Sequence, residues 1–247
     1  MTTSRPTPTA LVVVPTYNER DNLPLLVDGL MRHPNVRLLV VDDASPDGTG
    51  ELAEALAREH HGRINVLHRT ANRGLGRSYI DGIKMAIREP VDVVCQMDAD
   101  LSHDPAQLPR LIEGTSRGDV VIGSRYVPGG TIVNWPTRRR LLSRFANTYI
   151  RTVTRLDAHD CTSGYRCWRR DALAALPLDR FISDGYSFLV EMLFVAARRG
   201  FRVAEVPITF VERRLGESKL SRAVIVESAV TPWRLVATRG MLEGRTR

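Results

Sequence analysis

The stretch Val91-Asp92-Val93-Val94-Cys95-Gln96-Met97-Asp98-Ala99-Asp100 decides how this chain is read. It is an apolar, β-branched run that ends in two carboxylates one residue apart. Side chains alternate along a strand, so Asp98 and Asp100 leave the strand end on the same side. Two hard oxygen donors at the carboxyl edge of a sheet suit a divalent cation, because Mg²⁺ typically takes one or two carboxylates plus substrate phosphates. Such an ion neutralises the charge that grows on a departing diphosphate. Asp-x-Asp is equally at home in a solvated turn, so its meaning depends on its company.

Outward from this point the pattern is regular. Apolar runs predict strands over 11–14, 37–41, 64–67, 91–97 and 119–123, with helical spacing over 18–31, 51–59, 76–87 and 105–113. Strands alternating with helices of this length imply parallel βαβ units and an α/β fold. The polar residues of such sheets gather at the carboxyl ends of the strands, where Tyr17, Glu19, Asp42, Asp43, Asp98, Asp100, Ser124 and Arg125 all fall. The second half is less regular. A loop is expected over 128–136, a basic helix over 138–154, strands over 164–168 and 202–206, and a helix over 186–199. A polar, glycine-containing loop over 213–220 precedes an amphipathic segment over 221–238 that Pro232 is expected to interrupt. Residues 1–9, with Pro6 and Pro8, read as a loose tail. Residues 10–240 read as a single domain, with 221–240 suited to a membrane surface or to packing on the sheet.

Composition agrees with one soluble core: 247 residues, 43% hydrophobic and 26% charged. The formal charge of +7 suits an anionic partner such as a nucleotide diphosphate, a lipid phosphate or a membrane surface. Nucleic acid is disfavoured by low aromatic content and the lack of any reader motif. Of 35 basic residues only Lys84 and Lys219 are lysines, so a single arginine says little and Lys219 says more. Cys95, Cys161 and Cys167 lack paired spacing, which argues against a disulfide framework and a zinc site and fits a reducing cytoplasm. No run of roughly 20 apolar residues is present, so membrane contact is expected to be peripheral or through an integral partner protein.

Five motifs follow one another: Pro15-Thr16-Tyr17-Asn18-Glu19; Val41-Asp42-Asp43 with Asp47-Gly48-Thr49; Gly74-Leu75-Gly76; Asp98-Ala99-Asp100-Leu101; and Gly123-Ser124-Arg125-Tyr126. In this order they resemble the inverting GT-A enzymes of glycosyltransferase family 2. Asn134-Trp135-Pro136, Arg139 with Ser143, Asp160-Cys161-Thr162-Ser163-Gly164-Tyr165-Arg166 and Gly216-Glu217-Ser218-Lys219-Leu220 resemble its polyprenol-phosphate (dolichyl-phosphate) mannosyltransferases.

The resemblance implies a GT-A fold and inverting transfer of mannose from GDP-mannose to a polyprenyl monophosphate, with Mg²⁺ or Mn²⁺ held by Asp98 and Asp100. It implies a donor site of Pro15, Tyr17, Glu19, Val41, Asp43, Asp98 and Asp100, joined by Arg213 and Lys219. It assigns the acceptor phosphate to Arg125, Arg139 and Ser143, which with Asp100 form the catalytic set. Where some relatives carry glutamine two residues after the second carboxylate, this chain has Ser102, so water replaces a side chain there. The chain looks like the type without appended membrane helices, working at the cytoplasmic face of the membrane. UDP-glucose as donor, or a non-catalytic nucleotide-sugar-binding subunit, are the rival readings.

The residues test this chemistry independently. A phosphate monoester has a second pKa of about 6 and is anionic near neutral pH, so it needs no general base. A sugar hydroxyl acceptor would need a positioned carboxylate. Glu191 is the only candidate in the later part, and its apolar helical setting reads as structural. Arg139 and Ser143 share one helix face at i,i+4, a fork and a hydroxyl suited to one phosphate.

Overall fold

A computed structural model describes residues 7–70, 74–183, 185–212 and 222–242. Strands β1 (Ala10–Thr16), β2 (Val36–Asp42) and β3 (Ile64–His68) pair in parallel, with Val12 opposite Leu38 and Val40 opposite Val66. Helices α1 (Leu23–Met31) and α2 (Thr49–Glu59) join them. Along β1, Leu11 and Val13 enter one core layer while Ala10, Val12 and Val14 enter the other. A strand covered on both faces has no wet side, which is why its sequence is an unbroken apolar run. Helix α1 starts later than its periodicity predicts, because Asn18 takes φ 61° and the Asn22 amide donates back to Glu19.

Helix α3 (Leu75–Ala86) leads into β4 (Val93–Gln96), which adds to the far side of β1 with Val12 opposite Cys95. It packs on the sheet through Gly82: a Cβ there would lie 2.6 Å from Val13 Cγ1 and 2.8 Å from Val41 Cγ2. A 3₁₀ turn (Pro105–Gln107) and α4 (Leu108–Gly114) then lead to β5 (Val120–Ser124).

β5 does not pair with β4. Between them lies β7 (Arg166–Arg169), antiparallel to both, and β8 (Val203–Pro207) closes the order β3-β2-β1-β4-β7-β5-β8. Because β7 runs backwards, it begins at the edge where β4 and β5 end. The segment feeding it, residues 160–165, is thereby delivered beside Asp98 and Asp100. The same pairing qualifies the cysteine expectation, since Cys95 and Cys167 sit directly opposite with their sulfurs in contact. Strand topology, not sequence spacing, brings them together. Cys161 is free and buried.

Helices α5 (Thr137–Thr154), α6 (Arg170–Ala174), α7 (Gly185–Arg198) and α8 (Arg222–Leu242) complete the fold. The expected loop over 128–136 contains β6 (Thr131–Val133), which pairs in parallel with β9 (Thr209–Val211). Helix α8 continues through Pro232 where an interruption was expected. Its neighbours hold it there: the Tyr149 hydroxyl donates to the Ala229 carbonyl at 2.6 Å, Thr231 bonds Ser187 at 3.3 Å, and Leu235 is buried. Among the described residues, no helix is long and apolar enough to cross a membrane.

Candidate active site

Asp98 and Asp100 follow β4 at the carboxyl edge of the sheet, and the loop that carries them is fixed by its own residues. Leu101 takes φ 60°, a conformation uncommon for a leucine, and this turns the chain so that Ser102 reaches back. The Ser102 hydroxyl and main-chain N–H both donate to Asp100 Oδ1, at 2.6 and 3.1 Å. Ser102 therefore orients a carboxylate. Tyr79 of α3 donates to Asp98 Oδ1 at 3.3 Å, and burial pushes its phenol well above the ordinary value, so it stays a donor. Below Asp98 the backbone is Gly164, whose added Cβ would sit 3.3 Å from both carboxylate oxygens.

His103 is a loop residue here. Its Nδ1 accepts the Asp98 main-chain N–H at 3.3 Å, and its ring stacks on Tyr165 and meets the edge of Phe210. Burial lowers its pKa, which keeps Nδ1 an acceptor. Among the described residues there is no cluster of three or more His, Cys, Asp or Glu able to hold a metal. A cation held by Asp98 and Asp100 would find no third such ligand clustered with them among the described residues, which leaves places for ligand oxygens and water. That donor set fits Mg²⁺ or Mn²⁺ shared with a diphosphate and does not fit a closed zinc site.

Arg125 stands at the end of β5, buried, with Nε and Nη2 each 2.7 Å from a different oxygen of Asp160. Its main-chain N–H donates to the same carboxylate at 3.0 Å, and Nη2 donates to Thr162 at 2.8 Å. Burial alone would raise the pKa of Asp160, but the Arg125 charge and these bonds outweigh it and hold the pKa below its ordinary value. Ser143 of α5 accepts the Tyr126 hydroxyl at 2.6 Å, which leaves its own O–H as a donor. Asn147, one turn on, ties Ser143 to Thr162 and accepts the Cys161 N–H. Arg139 lies over the Trp135 ring, 4.1 Å from its centroid, and pairs with Glu212. Arg125, Arg139 and Ser143 therefore do come together, as expected, each already held by a partner that the sequence did not reveal.

On the donor side, Tyr17 is exposed just beyond β1, Pro15 and Glu19 are half-buried, and Asp42 caps its own turn through Ser45. Asp43 is buried and accepts from Arg69 and, at 2.9 Å, from the Gly74 N–H. Arg69 also reaches Asp81 at 2.8 Å and Ser78 at 2.9 Å. The Val41 side chain belongs to the core, against Gly82. Arg213 and Lys219 lie outside the described residues.

A cavity of about 460 Å³ starts at Asp98 and Asp100 and passes Arg125, Arg139 and Ser143. It ends between α5, α7 and α8 among Leu142, Phe145, Ile150, Val190 and Pro232. Of its lining residues Leu142 and Phe145 are 51% and 69% exposed, and elsewhere on α5 and α8 Leu141, Val230 and Trp233 are exposed as well. Among the described lining residues, the only carboxylates are those of Asp98 and Asp100. Glu191 is fully buried and accepts the Ser183 N–H at 2.8 Å, a structural carboxylate as its setting suggested. Burial pushes the Cys161 thiol up to about 12, which removes it as a nucleophile.

The family model for glycosyl transferase family 2 matches residues 11–176. Polyprenol monophosphomannose synthase of Mycolicibacterium smegmatis is 49% identical over 97% of this chain and 94% of its own. Undecaprenyl-phosphate mannosyltransferase of Micrococcus luteus is 50% identical over 92% of this chain and 94% of its own. Two solved structures share the GT-A fold at 18% identity. Glucosyl-3-phosphoglycerate synthase from Mycobacterium tuberculosis, in complex with Mn²⁺ and UDP-glucose, matches with a TM-score of 0.64 over 97% of this chain and 80% of that one. Mannosyltransferase PcManGT from Pyrobaculum calidifontis, in complex with GDP-Man and Mn²⁺, matches with a TM-score of 0.61 over 99% and 67%.

Proposed function

Because the chain belongs to glycosyl transferase family 2, we propose that it transfers mannose from GDP-mannose to a polyprenyl monophosphate with inversion, releasing GDP. The observation that carries this reading is the cavity itself. One continuous space joins a carboxylate pair, an arginine and serine cluster, and an apolar end, and beyond Asp98, Asp100 and His103, whose Nδ1 is taken by the Asp98 N–H, its described lining residues hold no further carboxylate or imidazole to serve as a base. An anionic lipid head group needs the first three and can dispense with the fourth.

An oxygen of the lipid phosphate attacks C1 of mannose, and the bond from C1 to the GDP oxygen breaks with its electron pair leaving on GDP. No proton has to move, since the monoester is largely ionised near neutral pH. Arg139 and the Ser143 hydroxyl hold the attacking phosphate, and the Asp160-braced Arg125 supplies fixed positive charge beside it. Asp98 and Asp100 would hold Mg²⁺ or Mn²⁺, which shields the diphosphate as it departs. Tyr17, Pro15, Glu19 and the Arg69-braced Asp43 receive the nucleoside, with Arg213 and Lys219 on the diphosphate. The lipid tail leaves past Phe145 and Leu142. Exposed Trp233 and Val230 seat the protein peripherally on the cytoplasmic face of the membrane, beside any integral partner.

A transfer assay with radiolabelled GDP-mannose or UDP-glucose and a short polyprenyl phosphate tests this. Label enters the lipid from GDP-mannose and not from UDP-glucose. Transfer from UDP-glucose alone overturns the donor assignment, and label transferred only to a free sugar overturns the acceptor.

A further inference from the structure

Counting charge around the phosphate site exposes a problem for an incoming dianion. Arg125 is already matched by Asp160, and Arg139 is already matched by Glu212. Arg144, 5.9 Å from the Tyr126 ring, adds a further cation nearby, yet the two guanidiniums proposed to face the phosphate each already carry a carboxylate. An incoming phosphate therefore competes with one of these two carboxylates.

Asp160 is not the one. It is fully buried, accepts from Arg125 through three N–H groups, and its own main-chain N–H is held by Glu205 at 3.0 Å. Glu212 is different. Its side chain is 31% exposed and touches Arg139, whose side chain is 28% exposed, while its main-chain N–H stays anchored on Val133 of β6 at 3.2 Å. The carboxylate can swing into solvent with the backbone left in place. Arg139 meanwhile stays stacked on Trp135 and loses no position.

We infer that Glu212 is a carboxylate stand-in for the acceptor phosphate: it occupies Arg139 until a lipid phosphate displaces it, and so sets the acceptor affinity. This rests on the proposed role of Arg139 in holding that phosphate. A dianionic monoester competes well for the guanidinium, whereas a singly charged head group exchanges one like pair for another. Glu212 therefore acts as a specificity-determining residue and takes no part in bond making.

Steady-state transfer from GDP-mannose to farnesyl phosphate tests the idea in the full chain. Glu212→Gln and Glu212→Ala should lower the acceptor KM about two- to fivefold, the weight of one partly exposed ion pair. The GDP-mannose KM and kcat should hold. Arg139→Ala should raise the acceptor KM, and adding Glu212→Gln in that background should change nothing further. An acceptor KM that rises or stays level in both Glu212 variants, while Arg139→Ala still raises it, overturns the stand-in and keeps the phosphate site. An Arg139→Ala enzyme with an unchanged acceptor KM overturns both.

Discussion

Arg125 and Asp160 meet side-on inside the protein, two nitrogens on two oxygens at 2.7 Å, one from the end of β5 and one from the segment that feeds the reversed strand. Breaking a buried pair by removing one partner strands the other charge, which typically costs about 3–5 kcal/mol. Asp160→Ala should lose stability on that scale in urea denaturation, and its transfer activity should fall because Arg125 is no longer aimed. Wild-type stability in that variant would mean the pair is not formed in solution.

The same pair sets an acid limit. The folded-state pKa of Asp160 lies below its ordinary value of 3.8, with burial pulling it up and Arg125 pulling it down more strongly. A depressed carboxylate contributes its full stabilisation above the unfolded pKa and loses it as pH falls through the folded one. The denaturation midpoint should therefore be insensitive to this group near neutral pH and drop below about pH 4. In Asp160→Asn that acid limb should be shallower.

Chelation should stop transfer, and Mg²⁺ or Mn²⁺ should restore it. Asp100→Ala should remove transfer by at least about a hundredfold with little change in melting temperature, the expected weight of a lost electrostatic anchor. Ser102→Ala should do less, since it only orients Asp100. Full turnover by Asp100→Ala would refute the metal assignment.

Gly164→Ala probes the floor beneath Asp98. A methyl 3.3 Å from both carboxylate oxygens forces that side chain to shift by a few tenths of an ångström. Misplacement on this scale should lower kcat by about tenfold. Binding of the polyprenyl phosphate alone should be unaffected.

Glu191→Gln separates a base from a brace. A general base contributes about 10²–10⁴-fold. The variant should keep kcat within about threefold of wild type, because the carboxamide oxygen still accepts the Ser183 N–H. A hundredfold loss with an altered pH profile would install Glu191 as the base and remove phosphate as the nucleophile.

The first half of the fold was readable because β1, β2 and β4 are buried on both faces and announce themselves as apolar runs. The reversal of β7 was not. Its four residues, Arg166–Arg169, carry no mark of direction, and the Cys95–Cys167 pairing follows from that direction alone. β6 and β9 are three residues each, too short for any alternation to show. At the site, Asp98, Asp100, Arg125, Arg139 and Ser143 were found by pattern and are brought to one cavity. Their braces were not. Tyr79 looks like a core aromatic in a helix, Arg69 is one arginine among many, and the roles of Asp160 and Glu212 exist only through partners 35 and 73 residues away. Val41 is different: it sits in a motif at the end of β2, and its side chain serves the core.

The size of the cavity has a consequence for what the protein can measure. About 460 Å³ is room for one drug-sized guest, and its apolar lining includes the exposed Phe145. On the proposed reaction a long isoprenoid cannot be taken in whole. On that reading the head of the lipid is inspected indoors and the rest of the tail stays outside, whatever its length.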